Sequence, residues 1–397
     1  MITLILSYYL IACLILLVGM FGLLLLNLLN FPRLKGFIAR ESPGEQQPLL
    51  SILVPARNEA ENIEACIRSL LAQKYERLEV LILDDQSTDG TDEIVRTIID
   101  ELPARHFGRL RLLHGKTLPT GWIGKNFACH QLYQQALGDY LFFTDADTWH
   151  APETASAVIH CMQHYEVQLL TALPDQELRS FGERLMIPLL NFTIFTLLPI
   201  PLVRLRPEPS LSMGNGQLLC FERSAYAAIG GHEAIKNQIL EDVRLAQTIK
   251  ASGRRMVLVD ALELVRCRMY RSFKEVWAGF SKNLYAFYNQ MLPFAILAII
   301  CNLALFVIPL LLALIAPLAH LSTNIALAGV IAYLMAVLMR LIIAIRFPRI
   351  ARPPAWQQML ISLLHPLAIT LECLILLNSI RWRYRRAGTA WKGRQYP

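Results

Sequence analysis

The segment DYLFFTDAD, residues 139–147, runs through four apolar or aromatic residues and then, past Thr144, into two carboxylates separated by one alanine. A short apolar run without polar alternation reads as a strand covered on both faces, as in a parallel sheet. Three other stretches have the same character: LSILVP at 50–55, LEVLILDD at 78–85 and LRLLH at 110–114. Amphipathic stretches of helical length separate most of them, such as Glu59 to Gln73. Short strands alternating with helices predict an α/β fold with a mostly parallel, Rossmann-like sheet. Open sheets of this kind bind ligands beyond the carboxyl ends of their strands, where Asp145 and Asp147 fall.

Outside this region the composition changes. The 397-residue chain is 54% hydrophobic and only 17% charged, with mean hydropathy +0.40. The apolar excess lies at the two ends, which predicts transmembrane helices there. The expected plan is a membrane helix at 1–30, a basic cytoplasmic linker at 31–48 and the α/β domain at 49–289. A membrane region at 290–380 follows, with apolar stretches 292–318, 325–345 and 359–380, and then a basic tail at 381–397. Pro188, Pro199 and Pro201 interrupt the apolar piece 186–203, which reads as an element lying against the membrane, or as a buried core helix. His365, Pro366 and Glu372 interrupt the last stretch, so a re-entrant or interfacial segment with a cytoplasmic tail is expected there rather than a span.

The net charge of +7 clusters beside apolar stretches, at Arg33, Lys35 and Arg40, at Arg346, Arg349 and Arg352, and from Arg381 to Arg394. That distribution suits anionic lipid headgroups and a cytoplasmic α/β domain at a cell (inner) membrane, in a multi-pass protein. It does not suit nucleic acid, which calls for basic residues on a folded face. The eight cysteines form no CxxC pair, which argues against a zinc site or a disulfide framework.

Acidic pairs occur at three places in the α/β region. Asp84 and Asp85 follow a strand in LILDDQSTDGT; they suit either the recognition of a base edge or a plain Asp-rich turn. Asp145 and Asp147, at i and i+2 of an extended chain, would point to one side and share a divalent cation, Mg2+ or Mn2+. Glu241 and Asp242 open the helix of ILEDVRLAQTIKASG. They suit either its dipole or, for Asp242, a general base that takes a proton from an acceptor hydroxyl.

Taken together, VPARNEAENI at 54–63, DDQSTDGT at 84–91, the DxD at 145–147 and the ED pair at 241–242 resemble inverting glycosyltransferases of family two. The resemblance implies a GT-A catalytic domain and a nucleotide-sugar donor, UDP- or GDP-linked. Within that family, LPTGWIGKNFACHQL at 118–132, MGNGQLLCFERSAYAAIGGH at 213–232 and WKGRQY at 391–396 are similar to membrane-bound carotenoid and hopanoid-associated members. The acceptor so implied is a lipid or isoprenoid hydroxyl or carboxyl. On the same resemblance Pro55, Arg57, Glu59, Asp84, Asp85, Lys125 and Asp145 would meet the donor. Asp145 and Asp147 would hold the metal, and Asp242 with Glu241 would be catalytic. Trp122, Gly214, Asn215 and His232 would approach the acceptor. FKEVWAGFSKNLYAFY at 273–288 lacks the QxxRW of processive members, which argues against a polysaccharide synthase; Lys282 offers a cation there. A noncatalytic nucleotide-sugar-binding scaffold is the reading from another class, and the joint presence of the acidic pairs argues against it.

Overall fold

The computed structural model describes residues 1–38, 47–103, 108–347, 352–384, 389–391 and 394–396. Arg40, Arg349, Arg385, Arg386, Lys392 and Gly393 lie outside the described residues. The chain divides into two compact units, one of residues 31–177 and 200–269, the other of residues 1–30, 178–199 and 270–397.

The first unit is α/β. Its strands are β1 (Leu50–Ala56), β2 (Leu78–Asp84), β3 (Leu110–His114), β4 (Tyr140–Phe143), β5 (Thr148–His150), β6 (Leu169–Leu173), β7 (Asp175–Gln176), β8 (Leu219–Glu222), β9 (Met256–Asp260) and β10 (Val265–Cys267). Seven of them form one sheet in the order β3-β2-β1-β4-β8-β6-β9, and β5-β10-β7 form a smaller one. Every neighbouring pair in the large sheet is parallel except those made by β8, which runs antiparallel to β4 and β6. The sheet is therefore mostly parallel, as expected, and β1 and β2 are buried almost throughout.

The strand order brings three carboxyl ends together. β2, β1 and β4 are parallel neighbours, so Asp84, Ala56 and Phe143 all lie at one edge of the sheet. Antiparallel β8 pairs Leu219 with Phe143, so the loop entering β8, with Gly214 to Gln217, arrives at that same edge.

The helix expected from Glu59 begins at Ile63 and ends at Leu71. The preceding residues have other partners: the backbone N–H groups of Asn58, Glu59 and Ala60 donate to Ser87 Oγ, Thr91 Oγ1 and Asp89 Oδ2. The loop after β2 thus caps the loop after β1, which fixes both.

The second unit is helical. Ile2–Asn30 and Thr323–Arg346 are long and apolar enough to cross a membrane. Two bent pairs, Phe273–Phe287 with Leu292–Phe306 at 116° and Ala355–Leu363 with His365–Tyr384 at 59°, raise the candidate spans among the described residues to four if each counts as one. The helix Phe273–Phe287, placed with the α/β domain on sequence, groups with this unit. The run 292–318 divides into Leu292–Phe306 and Ile308–Leu318, and Pro309 sits in the first turn of the second helix, where its missing N–H costs nothing. The piece 186–203 is built of the short helices Pro188–Leu197 and Ile200–Leu205, and the boundary between the units falls after Pro199. Asn27, fully buried in the first helix, donates its amide to Phe195 O and Leu198 O at 2.8 Å each.

Candidate active site

The end of β2 forms one corner of the sheet edge. Asp84 and Asp85 are buried there, and the Asp84 carboxylate accepts the Ser87 backbone N–H at 3.2 Å. Arg57, just past β1, donates to the carbonyls of Asp85 and Gln86. Gly115 follows β3 and leaves room for Asp85, since a Cβ on it would meet Asp85 Oδ1 at 3.0 Å. Pro55, Arg57 and Glu59 are half-buried along the same edge.

Asp145 and Asp147 follow β4 in a turn into β5, where the sequence reading had expected extended strand. Ala146 is buried between them. A brace beneath holds the turn: Thr148 Oγ1 donates to Asp145 O at 2.7 Å, and Thr144 Oγ1 donates to Gln217 O at 2.8 Å. The His150 ring lies against both hydroxyls, at 3.1 and 3.0 Å, and burial pushes this histidine down to about 3, so it stays neutral. Beside the turn, burial and then the Asp147 and Asp145 charges push the Cys267 thiol well up, so it stays protonated.

The second and third acidic pairs meet at Lys125. Its Nζ lies 2.6 Å from Asp145 Oδ1 and 2.8 Å from Glu241 Oε1. Burial pulls the lysine down, but the two carboxylates outweigh that and hold it well above its ordinary value. A Cβ on Gly216 would stand 2.9 Å from Lys125 Nζ, 3.4 Å from Asp145 Oδ2 and 3.6 Å from Glu241 Oε1, so glycine there makes space for the cluster. The Gly216 N–H donates to Asp242 Oδ2 at 3.0 Å, and the Val243 N–H donates to Asp242 Oδ1 at 2.7 Å. Desolvation and the Glu241 charge push Asp242 up to about 7, with Lys125 and these two N–H groups acting in the opposite direction.

The residues proposed for the acceptor divide. Gly214 packs on the helix start, where a Cβ would come within 2.1 Å of Asp242 O. Asn215 shapes its loop, accepting Gln217 N–H at 3.1 Å while its own N–H donates to Thr171 Oγ1. Trp122 is half-buried against Phe127 and His130. His232 is buried at 1% exposure, with Nδ1 2.6 Å from the Tyr226 hydroxyl and its ring beside Phe143; burial pushes it down to about 3. Its ring is therefore neutral and packed among aromatic side chains, not solvated.

Sequence reasoning missed Asn126, Gly216 and the Thr144–Thr148–His150 brace. Asn126 is fully buried and donates to the carbonyls of Ile235, Lys236 and Gln238, tying the Lys125 helix to the loop that leads into Glu241. Its neighbour Lys125 drew attention by charge, whereas a neutral amide beside it gave no signal.

The donor set suits a hard divalent ion. Two half-buried carboxylates separated by one residue match magnesium or manganese, which take one or two carboxylates plus substrate phosphates. Another cluster, Asp84, Asp92 and His114, has compatible spacing, but Arg96 donates to Asp92 at 2.7 Å and contacts His114 at 3.0 Å. It reads as an ion-pair network.

Residues 51–197 match the family model described as Glycosyl transferase family 2, and the mostly parallel α/β unit has a GT-A-like fold. The chain is 28% identical over 256 residues to the 4,4'-diaponeurosporenoate glycosyltransferase of Staphylococcus haemolyticus (strain JCSC1435), a match spanning 62% of this chain and 63% of that relative. The protein of the same name from Staphylococcus aureus (strain USA300) is 25% identical over 364 residues, 87% of this chain and 88% of its own length. Among solved structures, mannosyltransferase PcManGT from Pyrobaculum calidifontis, in complex with GDP-Man and Mn2+, has a similar fold, with TM-score 0.55 at 19% identity over 96% of this chain and 99% of that one.

Proposed function

We propose that this chain is a membrane-bound inverting glycosyltransferase that moves a sugar from a nucleoside diphosphate sugar, UDP- or GDP-linked, to the hydroxyl or carboxyl of a lipid-like isoprenoid acceptor. The observation that carries the reading is the meeting of Asp145, Lys125, Glu241 and Asp242 around Gly216. Donor-side and base-side carboxylates from distant segments have no packing reason to converge at a sheet edge, whereas a reaction between two substrates needs them there.

In this reading the base lies over Asp84 and Asp85, and Pro55, Arg57 and Glu59 line the nucleotide side. Asp145 and Asp147 hold a divalent cation, which neutralises charge on the departing diphosphate when bound. Lys125 supplies a further positive charge to phosphate oxygens from the first turn of its helix. Asp242 takes the proton of the acceptor hydroxyl as its oxygen attacks the anomeric carbon; the bond to the diphosphate breaks and the nucleoside diphosphate leaves with the electron pair. A base near 7 is well matched to this task at neutral pH. An acceptor that is already a carboxylate needs no such proton transfer, and only the protonated form of Asp242 could then hold it, by donating a hydrogen bond. A carotenoid-type acceptor is favoured by the names of the relatives, with hopanoid or other membrane lipids next.

The test is mass spectrometry of lipid extracts from cells with and without the gene. A lipid species heavier by one sugar residue only in cells carrying the gene, and lost with Asp242→Asn, is expected. Identical lipid profiles, with a soluble or polymeric glycosylated product instead, would overturn the lipid acceptor.

A further inference from the structure

The position of Lys125 leads to a role for this chain's own cation, resting on the reading of Asp145 and Asp147 as metal ligands. Its ammonium fills the gap between the Asp145 turn and the start of the helix Glu241–Ala251, in space that Gly216 leaves open. Two carboxylates brought this close repel each other, so the lysine removes a strain that the fold would otherwise carry. The three side chains are not equally open. Lys125 and Asp145 keep 23% and 29% of their side-chain exposure, while Glu241 keeps 10%. The ammonium thus has a way out of the pair, whereas Glu241 is recessed.

We propose that Lys125 is an internal counter-cation: it holds Asp145 and Glu241 together before ligands arrive, competes with the divalent ion for Asp145, and moves onto the donor diphosphate when that ion binds. A flexible four-carbon stem ending in a compact charge with three rotatable donors suits such a transfer better than a planar guanidinium. The stem also springs from the first turn of the helix Gly124–Gln135, and the positive end of that helix's dipole favours an arriving anion. One consequence is that the ion and the diphosphate help each other bind. The ion frees the ammonium for phosphate, and the phosphate keeps the ammonium off Asp145, a coupling that acts equally in both directions.

The experiment measures Mn2+ binding directly, by the electron paramagnetic resonance signal of free Mn2+, on the detergent-solubilised full chain without donor. Lys125→Met is expected to bind Mn2+ about tenfold more tightly than the parent, because a competing positive charge is gone. The same variant should bind UDP or GDP more weakly and lose the gain in Mn2+ affinity that the nucleotide gives the parent. Lys125→Arg, which keeps the charge, should show no tightening. A purely structural lysine predicts the opposite, since ligands that drift apart bind the ion less well. Unchanged or weaker Mn2+ binding in a Lys125→Met protein that melts like the parent overturns the proposal. Lys125→Gln takes its place if the methionine variant does not fold. Should the parent bind no Mn2+, or the Asp145→Asn/Asp147→Asn variant bind it equally well, the metal reading fails and the counter-cation role with it.

Discussion

Asp242 combines two properties that pull against each other. Both carboxylate oxygens accept backbone N–H groups, which favours the charged form, yet desolvation and Glu241 raise it to about 7. With a hydroxyl acceptor the deprotonated form is the base, so kcat/KM should rise with pH up to about 7 and level off above it. Asp242→Asn should lower transfer by about a hundredfold or more, a general-base contribution, with donor affinity nearly unchanged. A pH–rate profile and a nucleotide titration check the two halves; a profile flat from pH 5 to 8 would remove Asp242 from the proton transfer. The metal is tested by removal. Chelation should abolish transfer, and Mn2+ or Mg2+ should restore it in the parent but not in Asp145→Asn with Asp147→Asn. Activity surviving exhaustive chelation would count against these residues as ligands. At this scale the sequence was a good guide where a residue carried charge, since Lys125, Asp145, Glu241 and Asp242 do meet. It was a poor guide to His232, because a ring beside two glycines gives no sign of whether it is solvated or packed.

The elements are positioned by contacts too close to tolerate change. At Gly214 an added methyl would overlap the Asp242 carbonyl at 2.1 Å, a backbone neighbour with no rotamer to escape into. Gly214→Ala should therefore shift the start of the helix Glu241–Ala251 and cost about a hundredfold in transfer, the effect of moving a reacting group by about an ångström. Gly36→Ala, with nothing within 4 Å of the added carbon, is the control and should be neutral. Equal activity of the two variants would show that the helix start is not fixed from Gly214. Asn126→Ala removes the donor to three carbonyls, and a drop in stability of roughly 1–3 kcal/mol is expected from leaving buried acceptors unpaired. Denaturant unfolding of the two proteins measures it. The apolar strands β1 and β2 were legible because burial on both faces leaves no polar alternation. β8, as short as β4, was not, and its antiparallel direction comes from the route of the chain, which no local pattern records. Hydropathy likewise merged Leu292–Phe306 with Ile308–Leu318, because a helix break inside an apolar run changes no residue's polarity; only Pro309 marks it.

Across the whole molecule, hydropathy and charge argue for one arrangement. Ile2–Asn30 carries no charge, and the first cations after it, Arg33 and Lys35, open the α/β unit. Moving such cations across a bilayer is costly, so the segment that follows should remain on the cytoplasmic side. Three consequences are measurable. The full chain should sediment with membranes, stay there through high salt and alkaline washing, and leave only with detergent, because burial of apolar helices rather than headgroup charge retains it. Release by salt alone would reduce its membrane contact to an electrostatic one. For sidedness, Glu64 is an exposed position on the α/β unit, and Cys301 is the exposed native thiol, the other seven being buried. In Glu64→Cys with Cys301→Ser, a membrane-impermeant maleimide should label lysed cells and spare intact spheroplasts. Labelling of intact spheroplasts would put the α/β unit outside, away from cytoplasmic nucleotide sugars, and the proposed donor would then have no route to Asp145.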